Sequence, residues 1–541
     1  MPRPIPRIDI PHTDLWTALF ERKDKPFPDS QVLYQCPVTG RNYTYASLRR
    51  TTEQLGSGLR RHFSWQKGDV LALFSQNCID TPAVTWGCHW AGGIVSPANP
   101  AYTVRELVHH LKDSGSKALF TQRSLLPVAL KAAAESGISR DRIVLIGEER
   151  DPGFKHFTQL LDEIPRGTRA KLVPDEDLSF LVYSSGTTGL PKGVMLTHLN
   201  VVSDMFMVNS AEGELLKWNR DKILSVLPYY HIYGLQCLVH FPAYSGLTTV
   251  VMSSFNLQNF CSIIQNYKIT YTYVAPPILV HLAKNPIVSN YDLSSLRMIT
   301  SGAAPLTKDL IYAVKDRLGI EVKQAYGLSE TSPVTHVQRK WDVGMGSNGP
   351  PLPNQIVKFV DPDGNEVPTG QEGEVWIAGP NVFKGYHNNI AATLASKTPD
   401  GFFKTGDLGY EDEHGNMYIT DRVKELIKFK GFQVAPAELE GLLMGHDSVH
   451  DVAVIGSYDE SIASEVPLAF VVLKEGMEKN EENAQAIVKW LEERVARHKR
   501  LRGGIRWINE IPKTASGKIL RRKLKNILAE DVKDAKVKAK L

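Results

Sequence analysis

The stretch YSSGTTGLPKG, residues 183–193, gathers three glycines, four hydroxyl side chains besides the tyrosine, and one lysine into eleven positions. Glycines let several backbone N–H groups converge on one point. Ser184, Ser185, Thr187 and Thr188 add hydroxyl donors, and Lys192 adds one cation at the far end. Neutral donors with a single positive charge suit a polyphosphate. The run departs from the phosphate loop GxxxxGK[ST]. Gly186 lies six residues before Lys192, but Pro191 stands where the second glycine belongs and Gly193 where the Mg²⁺-binding hydroxyl belongs. A nucleotide is expected here, on a fold other than that of the P-loop NTPases.

Such a loop has to be held at the end of something rigid. From about residue 69, short apolar runs (VLALFS, KALFTQ, RIVLIG, LSFLVYSS) alternate with helical stretches and turn signals. The pattern continues through ILSVLPYY, TYTYVAPP, LRMITSGAAP and EVKQAYG. It predicts parallel sheets covered on both faces, whose ligand loops leave the C-terminal ends of strands. The glycine-rich loop, SGAAP and YGLSE all follow predicted strands. Residues 350–420 carry short alternating runs (NQIVKFVD, GEVWIAG, GNMYITD) that predict antiparallel β structure, in a small barrel. Beyond them a compact α+β domain is expected. It has a helix opened by Pro436 with Leu439, Leu442 and Leu443 on one face, strands DVAVIG and LAFVVL, and a helix carrying Ile487, Leu491 and Val495 that closes at Gly503–Gly504.

The chain has 541 residues, 42% hydrophobic and 23% charged, the composition of a soluble globular protein of two to four domains. No apolar run approaches the ~18–20 residues of a membrane span. MPRPIPRIDIPH lacks the apolar core of a secretory signal. Five scattered cysteines without a CxxC point to reduced thiols and no zinc site. The net charge of +4 hides a basic end: residues 501–541 hold 12 Lys and Arg against four Asp and Glu. No aromatic interleaves these charges after Trp507, so nucleic acid is not expected as a partner.

Seven motifs stand in one order: YSSGTTGLPKG, LPYYHIYG (227–234), SGAAPL (301–306), QAYGLSET (324–331), KTGD (404–407), DRVKELIKFKGFQVAPAELE (421–440) and PKTASGK (512–518). With them the chain resembles the acyl-adenylate-forming enzymes, which include acyl-CoA ligases, luciferase and peptide-synthetase adenylation domains. It looks closest to the 4-coumarate–CoA ligase branch. The resemblance implies an α/β fold: a large N-terminal domain of two doubly wound sheets plus a small β-barrel (1–420), a hinge (421–424) and a smaller, mobile α+β C-terminal domain (425–541). It implies ATP and Mg²⁺, with CoA as co-substrate. The ATP or AMP site would comprise Ser184, Ser185, Gly186, Thr187, Thr188, Gly189, Lys192, Gln324, Ala325, Tyr326, Gly327, Ser329, Asp407, Arg422, Lys428 and Gln433. Tyr326 would stack on adenine, Asp407 and Arg422 would hold the ribose, and Glu330 with Thr188 would hold the metal.

The catalytic residues implied are Lys518, bridging carboxylate and α-phosphate, His231, bordering the carboxylate, and Lys424, the hinge about which the C-terminal domain rotates between half-reactions. Lys430 and Gly431 would flank CoA. Tyr230, Cys237, Gly302, Ala303, Gly327, Pro333 and Val334 would surround the acyl group, with small residues at 302 and 327 leaving a flat slot for an aryl, hydroxycinnamate-like or medium-chain acid. The implied activity is an AMP-forming acid–thiol ligase. A carrier-protein-loading enzyme, a luciferase-like oxygenase and a nucleotide sensor are the alternatives, and the intact Lys518 and Glu330 weigh against the last. The implied partners are small molecules (a carboxylic acid, ATP and CoA), and the expected assembly is a monomer or weak homodimer. The terminal Ala539–Lys540–Leu541 is close to S-K-L and predicts peroxisomal import.

Overall fold

The structure is a computed structural model that describes residues 7–184, 191–340, 342–430, 432–460, 462, 464–514 and 517–538. The chain divides into two compact units. One runs to Ala303 and takes in Leu310–Ile356 and Ile377–Phe403. The other takes in Ala304–Asp309, Val357–Trp376 and the chain from Lys404 onward. Among the described residues, no helix is long and apolar enough to cross a membrane.

Apolar, β-branched runs of four to seven residues become strands of two large sheets in the first unit. Among the described residues, one sheet runs Val334–Val337, Glu321–Gly327, Met298–Ser301, Tyr271–Val274, Lys222–Ser225, Thr248–Val251, Val32–Gln35, Asn42–Thr44. Its six inner strands are parallel, and both edge strands pair antiparallel. The other runs Gly385–Tyr386, Lys192–Thr197, Leu178–Ser184, Ile94–Ala98, Val70–Phe74, Ser116–Thr121, Ile143–Leu145, Lys155–His156. It is parallel from Leu178–Ser184 onward. Val70–Phe74 and the helix Asp80–Trp90 are buried at every position. Strands covered on both faces need no polar alternation.

The second unit holds most of a four-stranded sheet, Ile356–Val360, Gly373–Ala378, Phe403–Glu411 and Met417–Arg422, where a small barrel is expected. A hairpin, Ile427–Phe429 with Phe432–Val434, leads into a three-stranded sheet of Val449–Asp459, Ser464–Leu473 and Ile505–Trp507. Leu439 and Leu443 of helix Pro436–Leu443 join Ile487 and Leu491 of helix Glu481–Glu492 in its core. That second helix stops at Glu492, short of the expected Val495 and Gly503–Gly504. The chain has to turn back there so that Ile505–Trp507 can add in parallel to Ser464–Leu473. Gly504, at φ +73°, makes the turn.

Candidate active site

The described residues that flank the glycine-rich run lie on two paired strands. Leu178–Ser184 and Lys192–Thr197 pair antiparallel with Ser184 opposite Lys192. Ser185, Gly186, Thr187, Thr188 and Gly189 lie outside the described residues. Tyr183, at the loop's base, donates its hydroxyl to Asp113 Oδ2 at 2.6 Å. Burial, then Asp113, pushes its pKa up, so the phenol stays a neutral donor.

Lys192 meets Glu330 through a residue the sequence did not single out. Gly385–Tyr386 pairs beside the lysine's strand, with Tyr386 opposite Val194. The Lys192 Nζ stands 5.0 Å from the Tyr386 ring centroid, and the Tyr386 hydroxyl donates to Glu330 Oε1 at 2.8 Å. Burial and the Glu330 charge raise the Tyr386 pKa, which keeps that proton in place. Glu330 is buried in a single turn, Ser329–Thr331, whose chain is anchored by Phe383 N donating to Glu330 O at 2.8 Å. Its carboxylate is a hard oxygen donor of the kind Mg²⁺ accepts alongside phosphates and water. Among the described residues no group of three or more His, Cys, Asp or Glu could hold a metal without such help.

Parallel strand ends bring the remaining residues of this unit together. Met298–Ser301 delivers Gly302 and Ala303, and its neighbour Glu321–Gly327 delivers Gln324, Ala325, Tyr326 and Gly327. Gln324 is buried, with its Nε2 unpartnered. Tyr326 is half-buried, its ring 6.2 Å from that of His336. Ala303 holds a φ of +72°, a strained conformation for a residue with a Cβ. His231 caps the short helix Ile232–Leu235, its Nδ1 accepting from Tyr233 N at 3.3 Å. That bond places the ring proton on Nε2. The helix widens by one residue per turn over Gln236–His240 before resuming at Phe241–Ser245, a distortion that recurs at functional sites. Cys237 lies on it, fully buried, and burial holds its thiol well above the usual pKa, neutral and inert. Tyr230 is half-buried, and burial pushes its pKa up to about 12.

The two slot glycines differ. A Cβ on Gly302 would sit 3.2 Å from Ala325 O and 3.4 Å from the Tyr233 ring. A Cβ on Gly327 would lie 2.1 Å from the Pro333 carbonyl oxygen. The space expected at Gly327 is therefore taken by backbone, and glycine stands there because two strands approach closely.

In the second unit, Asp407 and Arg422 face each other across Phe403–Glu411 and Met417–Arg422. Arg422 Nε is 2.9 Å from Asp407 Oδ1. Lys424 is exposed in the turn that follows. Lys428 is exposed, in register with Gln433, and Lys430, at φ +46°, donates its N–H to Ser464 Oγ at 2.7 Å. Gly431 lies outside the described residues. Lys518 ends a tight loop: its N–H donates to Thr514 Oγ1 at 3.1 Å, and Thr514 N donates to Lys518 O at 2.8 Å. Three residues on, Arg521 grips both oxygens of Glu440 at 2.7 and 2.8 Å and stands 3.2 Å from Glu425. Asp421 Oδ2 accepts from Ala437 N at 3.2 Å. This cluster ties the segment after Lys518 to the segments on both sides of Lys424. Burial pushes Glu440 up to about 7 and Asp421 to about 6. The sequence singled out neither Tyr386 nor the pairing of Arg521 with Glu440 and Glu425, because these contacts join residues dozens of positions apart.

A glycine- and hydroxyl-rich run that follows a strand, a lysine joined to Glu330 through Tyr386, and a second unit with an acid–arginine pair accompany a match to one family. The model of the AMP-binding enzymes matches residues 20–387, and that of the AMP-binding enzyme C-terminal domain matches 438–518. The chain belongs to the AMP-binding enzymes. This AMP-binding enzyme is 36% identical to a probable 4-coumarate–CoA ligase of Dictyostelium discoideum over 97% of its own length and 95% of the relative's. It is equally identical, 36%, to a 4-coumarate–CoA ligase of Petroselinum crispum, over 97% and 96%. Among solved structures, it is similar to an anthranilate–CoA ligase in complex with anthranoyl-AMP, at a TM-score of 0.86 and 27% identity, covering 96% of this chain and 98% of that one.

Proposed function

We propose that this AMP-binding enzyme is an AMP-forming acid–thiol ligase of the acyl- or aryl-CoA class. A carboxylic acid attacks the α-phosphorus of ATP, giving an acyl-adenylate and pyrophosphate. The CoA thiol then attacks the acyl carbon, and AMP leaves with the proton passing to solvent or base. The observation that carries the reading is the joint placement of Lys192, Tyr386 and Glu330 beside strand ends that deliver Gln324–Gly327, in a chain 36% identical to a probable 4-coumarate–CoA ligase over 97% of its length.

In this reading the 183–193 loop takes the β- and γ-phosphates with neutral donors, so pyrophosphate is not trapped after transfer. Tyr326 stacks on adenine, and Asp407 with Arg422 binds the ribose. Lys518 neutralises charge in the phosphoryl transition state, and His231 borders the acid's carboxylate. Glu330 and Thr188 would hold Mg²⁺, which would neutralise charge on the phosphates when bound. Lys424 is the hinge between a domain of 1–420 and one of 425–541, and its rotation withdraws Lys518 and brings Lys430 and Gly431 to the CoA thiol. The acid is an aryl or hydroxycinnamate-like one, in keeping with the relatives' names.

Incubation with ATP, Mg²⁺, CoA and a panel of benzoates, cinnamates and medium-chain acids tests this. Stoichiometric AMP and thioester from at least one aryl acid is expected. Adenylation of an acid without any thioester to CoA would refute the ligase reading.

A further inference from the structure

The chain on either side of the Lys518 loop is fixed by two ion pairs of different kinds. Before the loop, Lys513 Nζ reaches both oxygens of Asp451, at 2.8 and 2.7 Å, on strand Val449–Asp459. These side chains are 26% and 25% exposed. After the loop, Arg521 opens helix Arg521–Lys538. Its Nη2 holds both oxygens of Glu440 at 2.7 and 2.8 Å, and its Nη1 stands 3.2 Å from Glu425 Oε2. Here the exposures are 15% for Arg521, 11% for Glu440 and 14% for Glu425. Glu440 lies on helix Pro436–Leu443, and its Oε1 also accepts from Val454 N at 2.7 Å. Glu425 follows Lys424 directly. Three segments therefore meet at one guanidinium, three residues past Lys518.

Folding alone does not account for this arrangement. The foot of the loop already packs through apolar groups: Ile511 and Leu524 share a buried cluster with Ile455 and Phe470, and Ile519 packs against it. The backbone closes the loop as well, with Leu520 N donating to Pro512 O at 2.8 Å and Lys513 bridging Ile519. Burying a guanidinium among Glu440, Glu425 and the nearby Asp421 is a costly way to hold a helix end, and a well-packed neutral pair often serves stability equally well. What the charged group adds is geometry. A planar guanidinium that reaches two carboxylates from two nitrogens fixes orientation as well as distance. The Lys513 pair, open to solvent, is screened and holds its partner loosely.

We propose that Arg521 is a positioning residue for adenylation: by joining Glu440 to Glu425 it fixes where the Lys518 loop stands relative to the segment after Lys424. This rests on the adenylation role given to Lys518 above. A cation that neutralises a phosphoryl transition state works only if it is preorganised. Misplacement by about 1 Å can cost on the order of 10²-fold in rate. Thiol attack on the finished adenylate does not use Lys518, so it does not depend on the clamp.

The test reads both half-reactions on each sample of the full chain, with the best acid of the panel above: ATP–pyrophosphate exchange for adenylation, and thioester from the supplied acyl-adenylate and CoA. Assays at about pH 8 keep Glu440, which burial pushes up to about 7, ionised. Arg521→Met alone leaves Glu440 without its cation. The double variant Arg521→Met with Glu440→Gln removes that charge and keeps an acceptor for Val454 N. It is expected to melt near wild type and to lose at least about 10-fold in exchange kcat, with KM for ATP within about 3-fold. Thioester formation should stay within about 3-fold of wild type. An unfolded fraction lowers both half-reactions alike and leaves their ratio unchanged. Lys513→Met should stay within about 3-fold in both. Wild-type exchange in the double variant, equal loss in both half-reactions, or a Lys513→Met loss as large as that of the double variant overturns the proposal. Lys518→Ala, run alongside, separates the two readings. If it spares exchange, the role of Lys518 falls and this proposal with it. If it abolishes exchange while the Arg521 variants keep theirs, this proposal falls alone.

Discussion

Adding one methyl group at Gly327 should do far more damage than adding one at Gly302. At Gly327 the new Cβ would sit 2.1 Å from Pro333 O, 2.7 Å from Pro333 C and 3.1 Å from Val334 Cα. Non-bonded carbon contacts settle near 3.5–4.0 Å, so the overlap exceeds about 1 Å and falls on backbone. Gly327 pairs with Val334 in the antiparallel edge of the sheet, and that pairing must open to admit the methyl. The cost should reach at least the upper end of the ~1–3 kcal/mol typical of overpacking. At Gly302 the nearest atoms are 3.2 and 3.4 Å away, one of them on the Tyr233 ring. A few tenths of an ångström of give at the Ala325 carbonyl and the Tyr233 ring accommodate it, at about 1 kcal/mol. Gly302→Ala should therefore melt near wild type and raise KM for the acid about 5-fold with KM for ATP little changed. Gly327→Ala should melt lower and lose affinity for both substrates, because residues 324–327 also carry the adenine assignment. Melting curves and pyrophosphate-exchange kinetics measure all of this. A Gly327→Ala protein with wild-type melting and wild-type KM values would show that the strand approach has been misjudged.

Lys518→Ala should cost about 10²–10³ in adenylation and spare thioester formation from a supplied acyl-adenylate; equal loss in both half-reactions would sink that role. Lys424→Pro should do the reverse, since proline fixes φ near −65°, and a loss confined to adenylation would count against the hinge. Tyr386→Phe keeps the ring under Lys192 but removes the donor to Glu330. It should lower kcat/KM for ATP about 10-fold, as hydrogen bonds to charged groups do, and an unchanged Mg²⁺ and ATP dependence would refute the contact's role. Acidification from pH 7.5 to 5.5 should lower the melting temperature. Burial holds His89 and His336 near 3 and His110 and His198 near 4, with His240 also far down. These stay neutral when folded and take up protons on unfolding once the pH falls below about 6.5. Asp204, Glu440 and Asp421, held high by burial, oppose the trend but are outnumbered. A melting temperature that rises toward pH 5.5 would contradict it.

The parallel strands were legible in the sequence because burial on both faces leaves uninterrupted apolar runs, as in VLALFS and TYTYVAPP, whose strands are Val70–Phe74 and Tyr271–Val274. The end of the strand LSFLVYSS was legible because glycines concentrate where a strand gives way to a turn, and Leu178–Ser184 stops where that run begins. Asp407 and Arg422 could be named from short motifs, and the ladder that sets them opposite each other spans only 15 residues. Val32–Gln35 could not be foreseen as a strand beside Thr248–Val251, since its partner is more than 200 residues away. Nor could the end of helix Glu481–Glu492, which the returning strand Ile505–Trp507 imposes against a sequence period that runs on to Val495. At Gly302 and Gly327 the sequence shows two equal absences of a side chain, and only the fold reveals that a Cβ would meet its nearest atom at 3.2 Å in one and at 2.1 Å in the other. Tyr386 reaching Glu330 is likewise a fact of packing. Local physics sets backbone propensity along the chain, but which groups share a buried space depends on contacts between distant segments, and no local pattern encodes them.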